Sequence, residues 1–431
     1  MKARLKAPKG THDLFPVDSE RFAAVEAVAR RVFGSFGYGE IRTPTFESTE
    51  LFARSVGETT DIVHKEMYTF PDRKGRSLTL RPENTAGVVR ALVEKGIQEM
   101  PRPLRLWYTG SQFRYEQPQA GRYREFRQIG VELLGVPGPV GDAEVLGMLF
   151  AFLRALGFTD AVATINCIPR GSARAAFSKA LQDHVRPHAG RLGAEDLKRL
   201  EENPLRLFDS KDPEARPILE GAPKTLDFLD EASRAHHEEL KELLVQGGVL
   251  FRESAAIVRG IDYYTLTVFE VASERLGAQN ALLGGGRYDE LVGELGGPPT
   301  PAVGFAIGED RLVEAMTGDV REPKSLVFVI PDGPAEFVYA LAVSDEIRGL
   351  LPEAVVESDY SGRGIGKGLG RAGQIAREPA LHPFRVGAVH AVLLGSRERE
   401  GDTVTMKDLT TGTQETFPRG ELPERLAGRE R

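Results

Sequence analysis

Phe113-Arg114-Tyr115-Glu116-Gln117-Pro118-Gln119-Ala120-Gly121-Arg122-Tyr123-Arg124-Glu125-Phe126-Arg127-Gln128-Ile129-Gly130-Val131-Glu132-Leu133-Leu134 decides how the rest of the chain is read. Glu125 to Leu134 and, upstream, Leu104 to Tyr108 read as strands joined by a polar loop rich in Gln, Gly and Arg. Charged residues inside apolar, strand-like sequence cost free energy unless they are paired or used. Arg114, Glu116, Gln128 and Glu132 share one parity, so a loop that preserves the pleat puts them on one sheet face. A face mixing arginines with carboxylates suits a ligand that carries both a polyphosphate and an amine or cationic group. The plain alternative is a network of structural ion pairs.

Working outward, apolar positions Phe22, Val25, Ala29, Val32, Phe33 and Phe36 recur at helical spacing over Asp18 to Phe36. Short alternating segments follow at Glu40 to Pro44, Glu66 to Phe70 and Ser77 to Leu80, the last two predicting a hairpin around Asp72-Arg73-Lys74-Gly75. A helix is expected over Ala143 to Leu156 and a strand over Ala161 to Cys167. From Arg170 to about Val245 the chain turns charged and helical, which suggests an inserted helical subdomain. Strands return at Val268 to Val271 and Asn280 to Leu283, before Gly284-Gly285-Gly286 and a helix from Tyr288. Pro323-Lys324 marks a boundary. Beyond it, strands at Leu326 to Ile330, Val355 to Glu357 and Gly387 to Leu394 alternate with helices at Ala335 to Leu351 and Gly364 to Arg377, and a hairpin ends the chain. That succession predicts a separate α/β domain.

Length and composition bound the function. A chain of 431 residues exceeds one typical core, so two or three domains are expected. The formal net charge of -7 argues against a protein that coats nucleic acid by bulk electrostatics, while leaving room for local arginine sites. No apolar run approaches the roughly 18 residues that span a bilayer. The basic start, Met1 to Lys6, leads into Pro8 and Gly10 rather than an apolar stretch, unlike a signal peptide. The single cysteine, Cys167, stands in an apolar strand-like run and reads as a buried thiol in a reducing compartment, so a cytoplasmic protein is expected.

Two more clusters put charge into apolar sequence: Leu80-Arg81-Pro82-Glu83-Asn84-Thr85, and Val258-Arg259-Gly260-Ile261-Asp262-Tyr263-Tyr264 with Gly284-Gly285-Gly286-Arg287-Tyr288-Asp289. The glycine run admits close backbone approach or positive φ. Other patterns fail. His184 and His188 have the spacing of a helical metal pair, but Pro187 separates them and no Glu-rich or Cys-rich partner is near. Gly362 to Gly368 lacks the Walker and dinucleotide spacings. His236-His237 reads as helix surface.

The chain resembles the class II histidyl-tRNA synthetases. The similarity runs through Lys9-Gly10-Thr11-His12-Asp13-Leu14-Phe15-Pro16, Thr79-Leu80-Arg81-Pro82-Glu83, Phe113 to Glu116, Pro118 to Arg124, Gly284 to Asp289, and Gly304-Phe305-Ala306-Ile307-Gly308-Glu309-Asp310-Arg311. Arg259-Gly260-Ile261-Asp262-Tyr263-Tyr264 is similar to a segment diagnostic of histidine specificity. The resemblance implies an α+β fold: a class II antiparallel-sheet catalytic core over 1–168 and 248–322, a helical insertion over 169–247, and a C-terminal α/β anticodon-binding domain over 325–431. It implies ATP with Mg²⁺, histidine and tRNA(His) as reactants, no fixed protein-only metal site, and a homodimer.

Carried over position by position, the resemblance implies that Arg114 holds the α-phosphate of ATP, and Arg122 and Arg311 its outer phosphates. Phe126 and Arg311 would sandwich the adenine and Glu116 read its amino group. Glu83, Thr85 and Gln128 would hold the histidine α-amine, Glu132, Tyr263, Tyr264 and Tyr288 its ring, and Arg259 the carboxylate and α-phosphate. In the C-terminal domain, Arg363, Lys367 and Arg371 at i, i+4 and i+8 are expected on one helix face toward tRNA phosphates. Departures from the family pattern are Arg127, Leu266, Asn84 and a longer loop over 378–386. The rival readings are a histidine-sensing regulatory paralogue that charges no tRNA, and a class II synthetase of another specificity.

Overall fold

The computed structural model describes residues 5–57, 60, 62–116, 123–210, 212–258, 263–273, 275, 281–379 and 382–426. Arg122 and Arg259, both expected in the site, lie outside those residues. The chain divides into two compact units, one of residues 1–13 and 25–318, the other of residues 14–24 and 319–431.

In the first unit the strands are β1 (Gly39–Glu40), β2 (Phe46–Ser48), β3 (Thr69–Pro71), β4 (Ser77–Leu80), β5 (Leu104–Phe113), β6 (Glu125–Leu134), β7 (Val162–Ile168), β8 (Phe251–Glu253), β9 (Leu266–Ala272), β10 (Ala281–Arg287) and β11 (Ala302–Gly308). Among the described residues they form an eight-stranded sheet in the order β1-β5-β6-β11-β10-β9-β7-β8 and a small sheet β2-β4-β3. The six central strands are mutually antiparallel, and only β1 and β8 join their neighbours in parallel. The expected hairpin forms as β3 and β4. The expected helix at Asp18 to Phe36 spans Pro16–Ser35, and that at Ala143 to Leu156 spans Pro139–Ala155.

Of the two readings of Gly284-Gly285-Gly286, close backbone approach or positive φ, the structure shows the first. The three glycines continue β10, paired with Ala306, Phe305 and Gly304 on one side and with Glu270, Phe269 and Val268 on the other. Close approach explains them: a Cβ on Gly286 would stand 2.6 Å from the Thr267 carbonyl oxygen and 2.8 Å from Tyr264 Cδ1.

The helical stretch between β7 and β8 includes Gly171–Val185, Ala194–Glu202 and Glu231–Gln246. Its Phe177, Leu181 and Val185 share one apolar cluster with Tyr263, Tyr264 and Tyr288, so the insertion and the wall of the candidate site are one core. His236 and His237, expected on the helix surface, are instead buried. Two adjacent positions on a helix are both covered because their partners come from different sides. His237 Nε2 lies 2.8 Å from Glu253 of β8, and His236 Nε2 lies 2.9 Å from Asp142 Oδ2. His184 Nε2 reaches the Ile218 carbonyl oxygen at 2.9 Å, and among the described residues no His, Cys, Asp and Glu group could hold a metal ion.

The second unit has β12 (Lys324–Pro331), β13 (Val355–Ser358), β14 (Val386–Leu394), β15 (Thr403–Asp408) and β16 (Gln414–Pro418) in the order β13-β12-β14-β15-β16. Helix Phe337–Leu350 covers Val327 and Val329, and helix Ile365–Arg377 covers Leu326, Phe328 and Ile330. Alternate residues of β12 thus feed two cores. Arg363, expected on one helix face with Lys367 and Arg371, instead precedes the helix, flanked by Gly362 (φ 67°) and Gly364 (φ 83°). Lys367 and Arg371 lie on the helix, where Arg371 pairs with Glu357 at 3.1 Å.

The sheet and insertion meet at Asp142, which bonds His236 of the insertion at 2.9 Å and Arg287 at 2.6 Å; Arg287, 1% exposed at the end of β10, also donates to the Gly138 carbonyl at 2.6 Å and to Asp289 at 3.0 Å. Thr267 of β9 adds a bond to Asp142 at 2.6 Å. Burial alone would raise the Asp142 carboxyl, but the His236 hydrogen bond and the Arg287 charge more than offset it and hold it below the usual range. A carboxyl lowered in the folded state stabilises above its unfolded value of about 3.9 and loses that contribution as pH falls. Arg287→Ala leaves this carboxylate buried with one partner fewer. We expect a loss of about 3–5 kcal/mol by urea denaturation at neutral pH, shrinking in acid; a loss that stays constant below about pH 4 would contradict the assignment.

Candidate active site

Strand β6 carries the centre of the site. Its Gln128 and Glu132, with Phe126, project on one face, as their shared parity requires. Arg114 and Glu116 lie just past the end of β5 rather than on a strand, and still reach the same region, because β5 pairs with β6 out to Phe113 opposite Glu125.

Two cavities adjoin there. One, of about 200 Å³, is lined by Glu83, Thr85, Arg114, Gln128, Glu132, Tyr263, Tyr264 and Tyr288. The other, of about 330 Å³, is lined by Arg114, Glu116, Phe126, Gln128 and Arg311, and also by Tyr123, Glu270 and Asp310. Arg114, Gln128, Gly284 and Ala306 border both, so the cavities meet at a guanidinium. Arg114 Nε donates to the Pro82 carbonyl oxygen at 2.9 Å, and its guanidinium carbon lies 5.3 Å from the centre of the Phe126 ring.

The smaller cavity is a chain of buried polar groups. Glu83 precedes helix Thr85–Glu94 and accepts from its first amides, Thr85 N–H at 2.7 Å and Ala86 N–H at 2.9 Å. Burial pushes its carboxyl up all the same, against those amides and the Arg114 charge. Thr85 Oγ1 donates to Glu132 Oε1 at 2.7 Å, and the Tyr288 hydroxyl donates to Glu132 Oε2. Glu132 is 1% exposed, and burial pushes its carboxyl up to about 8 despite both donors. Gln128 Oε1 is buried and accepts no hydrogen bond, which leaves an acceptor facing the ligand space. Tyr263 closes the aromatic side, its ring centre 4.8 Å from that of Tyr264 and 5.4 Å from that of Tyr288.

The described site residues expected from the sequence, Glu83, Thr85, Arg114, Glu116, Phe126, Gln128, Glu132, Tyr263, Tyr264, Tyr288 and Arg311, therefore line these two cavities. Glu270, Tyr123 and Asp310 were not expected there. Glu270 carried a legible signal, since it is a carboxylate within the apolar strand Val268-Phe269-Glu270-Val271, as Glu132 is within its own. Asp310 accepts the Arg127 backbone N–H at 2.7 Å, which fastens the helix Glu309–Ala315 to β6.

Gly304 of β11 pairs with Glu132 in register, and a Cβ there would overlap both Glu132 Oε2 and the Val131 carbonyl oxygen. Gly304→Ala must therefore displace the carboxylate or bend the sheet. We expect a loss of about 1–3 kcal/mol in chemical denaturation together with loss of amino-acid binding in calorimetry. Wild-type binding by the variant would show that Glu132 is not fixed by this contact.

Against known proteins, the histidyl-tRNA synthetase family profile matches residues 10–312. The histidine–tRNA ligase of Thermosynechococcus vestitus is 42% identical over 420 residues, covering 97% of this chain and 95% of that protein. That of Synechococcus elongatus is 43% identical over 422 residues, covering 97% and 94%. The crystal structure of apo S. aureus histidyl-tRNA synthetase matches with a TM-score of 0.79 at 33% identity, over 98% of this chain and 99% of that one. A Bacillus halodurans structure described as an ATP phosphoribosyltransferase regulatory subunit/histidyl-tRNA synthetase shares the fold, with a TM-score of 0.63 at 24% identity over 86% of this chain and 97% of that one. Near-complete coverage at such identity, on a sheet that buries Glu132 beside Arg114, leaves one assignment: the chain belongs to the histidyl-tRNA synthetase family.

Proposed function

We propose that the two joined cavities bind histidine and ATP side by side and form histidyl-adenylate with release of diphosphate, after which histidine passes to tRNA(His) and AMP leaves. The observation that carries this reading is the smaller cavity itself: a buried carboxylate, Glu132, held by Thr85 and Tyr288, with the bare acceptor of Gln128 beside it. An imidazole N–H suits the first and an ammonium the second.

Glu83, Thr85 and Gln128 then hold the α-amine, and Glu132, Tyr263, Tyr264 and Tyr288 the ring. Arg114 and Arg259 bring the histidine carboxylate to the α-phosphate. In-line attack joins two anions, so fixed positive charge is the main requirement, and no base is needed because the carboxylate is already ionised. The bond from carboxylate oxygen to α-phosphorus forms as the bond to diphosphate breaks. Phe126 and Arg311 enclose the adenine, Glu116 reads its amino group, and Arg122 and Arg311 hold the outer phosphates. Mg²⁺ would enter as the companion of ATP and neutralise the leaving diphosphate.

We further propose a catalytic core over 1–168 and 248–322, an insertion domain over 169–247, and anticodon binding by residues 325–431, with Arg363, Lys367 and Arg371 toward tRNA. The assembly is a C2 homodimer. Among the described residues no helix is long and apolar enough to cross a membrane, and the lone buried Cys167, whose thiol burial pushes up to about 12, agrees with a cytoplasmic place.

Diphosphate exchange into ATP with a panel of amino acids tests the activity. Histidine alone is expected to support it, and Arg259→Ala to abolish it with the fold kept. No exchange favours a histidine sensor, and exchange with another amino acid favours another specificity.

Proton linkage tests the ring-binding residue. The Glu132 carboxyl at about 8 and a free imidazole at about 6.5 hold close to one proton between them in that interval, as the complex does. Histidine binding is therefore expected to release protons near pH 5.5 and to take them up near pH 9, with affinity falling on both sides of the interval. Calorimetry in buffers of different ionisation heat measures this. Glu132→Gln should lose the alkaline uptake and weaken histidine by roughly a hundredfold. Unchanged uptake in that variant would remove Glu132 from the ring.

A further inference from the structure

A third cavity, of about 70 Å³, lies apart from the two above, between the segment Ile62–Glu66 and the insertion. Lys65, Lys198, Arg199 and Arg206 line it together with two carboxylates, Glu195 and Glu202, a surplus of two positive charges. Three of the cations have carboxylates. Arg199 meets Glu195 at 2.7 Å, Lys65 meets the same carboxylate at 3.4 Å, and Lys198 meets Glu202 at 3.7 Å.

Arg206 differs. It sits in the 3-10 turn Pro204–Asp209 between the buried Leu205 and Leu207, is itself only 7% exposed, and its Nε and Nη1 are buried with no hydrogen-bond partner. Two guanidinium nitrogens buried without an acceptor are unfavourable, and a fold that keeps them must gain elsewhere. The guanidinium presents its donors as a planar fork matched to phosphate oxygens, and the positive surplus of the lining favours an anion.

We propose that this cavity is a binding site for a phosphate-type oxyanion, anchored on Arg206 with Lys65 and Lys198 at its rim. The bound anion would brace the insertion against Ile62–Glu66, whose Ile62 lines the amino-acid cavity. Two sources share the chemistry: free phosphate or diphosphate, and a phosphodiester of RNA.

Inorganic phosphate titrated into the full chain at low ionic strength, by calorimetry, gives the test. Arg206→Met, which keeps the apolar stem without the charge, and Lys198→Gln, at the exposed rim, are each expected to weaken phosphate by about tenfold, the effect of one charge-assisted contact. Because neither residue touches the nucleotide cavity, phosphate binding there would be equal in all three proteins. If Arg206→Met fails to fold, Lys198→Gln decides. Phosphate affinity unchanged in the folded variants overturns the site. The source is read from charging kinetics: a raised KM for tRNA at constant KM for histidine and ATP identifies an RNA phosphodiester, and an unchanged KM alongside lost phosphate binding identifies the free anion. That arm alone rests on the charging reading, whose own failure would show as no charged tRNA from the wild-type chain.

Discussion

Glu132 is a carboxylate at the middle of an eight-stranded sheet with almost no access to water, and much of the first unit can be understood as what makes that tolerable. Three glycines in β10 and one in β11 let the strands and the tyrosines close around it. Thr85 and Tyr288 supply donors, and Glu83 uses the first amides of the helix that carries Thr85. None of this fully compensates, since the carboxyl still rises to about 8. A polar site that is incompletely satisfied when empty is one that a hydrogen-bonding ring completes, and a wrong side chain leaves it unpaired. Specificity for histidine and incomplete satisfaction of the empty site have one cause.

That cavity is held from behind by a second buried ionic group. Arg287 and Tyr288 are consecutive, so they point to opposite sides of the chain: Tyr288 to Glu132, Arg287 to Asp142. Asp142 in turn holds His236 of the insertion and Thr267 of β9. Arg174, also in the insertion, donates to the Tyr264 carbonyl at 3.3 Å. The inserted helices are thereby bonded to both segments that present tyrosines to the ligand, which ties the placement of the amino-acid pocket to the docking of the insertion.

What could be read from the sequence followed local rules. Period two along Glu125 to Leu134, with charge where apolar residues belong, located Gln128 and Glu132, and the alternation of strand and helix after Pro323 located the second unit. The misreading of the two histidines has a physical cause, partners outside their own helix. His236 and His237 stand in a charged helical run and look solvated, yet their partners are 94 residues before and 16 residues after. The glycine run left close approach and positive φ open, because nothing local shows that Thr267 and Tyr264 press against it. Arg363 lost its place in the helix to two flanking glycines whose left-handed backbone is a property of the fold, not of the spacing. Arg206 bore the same mark as Glu132, a charge between apolar neighbours, but a pattern alone does not tell a buried unpaired ion from a solvated one.

The departures from the family pattern show how the fold absorbs change beside a demanding site. Arg127 lies on the face of β6 away from the cavities, where it meets Glu26 at 2.5 Å and the fully buried Glu309 at 3.2 Å. Burial pushes Glu309 up to about 8, so this arginine compensates a costly carboxylate, and it touches the nucleotide cavity only through its backbone N–H to Asp310. Asn84 accepts from Thr43 at 2.5 Å and from Arg81 at 3.3 Å, joining the bonds by which Arg81 fastens β5 to the segment after β1. Leu266 is a leucine at φ 54°, a conformation that costs about 1–2 kcal/mol. Its side chain is buried against Cys167 and Leu229, a gain of about 1.5–3 kcal/mol that offsets the backbone. This left-handed residue directly follows Tyr263-Tyr264-Thr265 and opens β9. The costly backbone angle at the edge of the amino-acid cavity is thus offset by packing on the side where Cys167 and Leu229 lie, not by contact with the cavity.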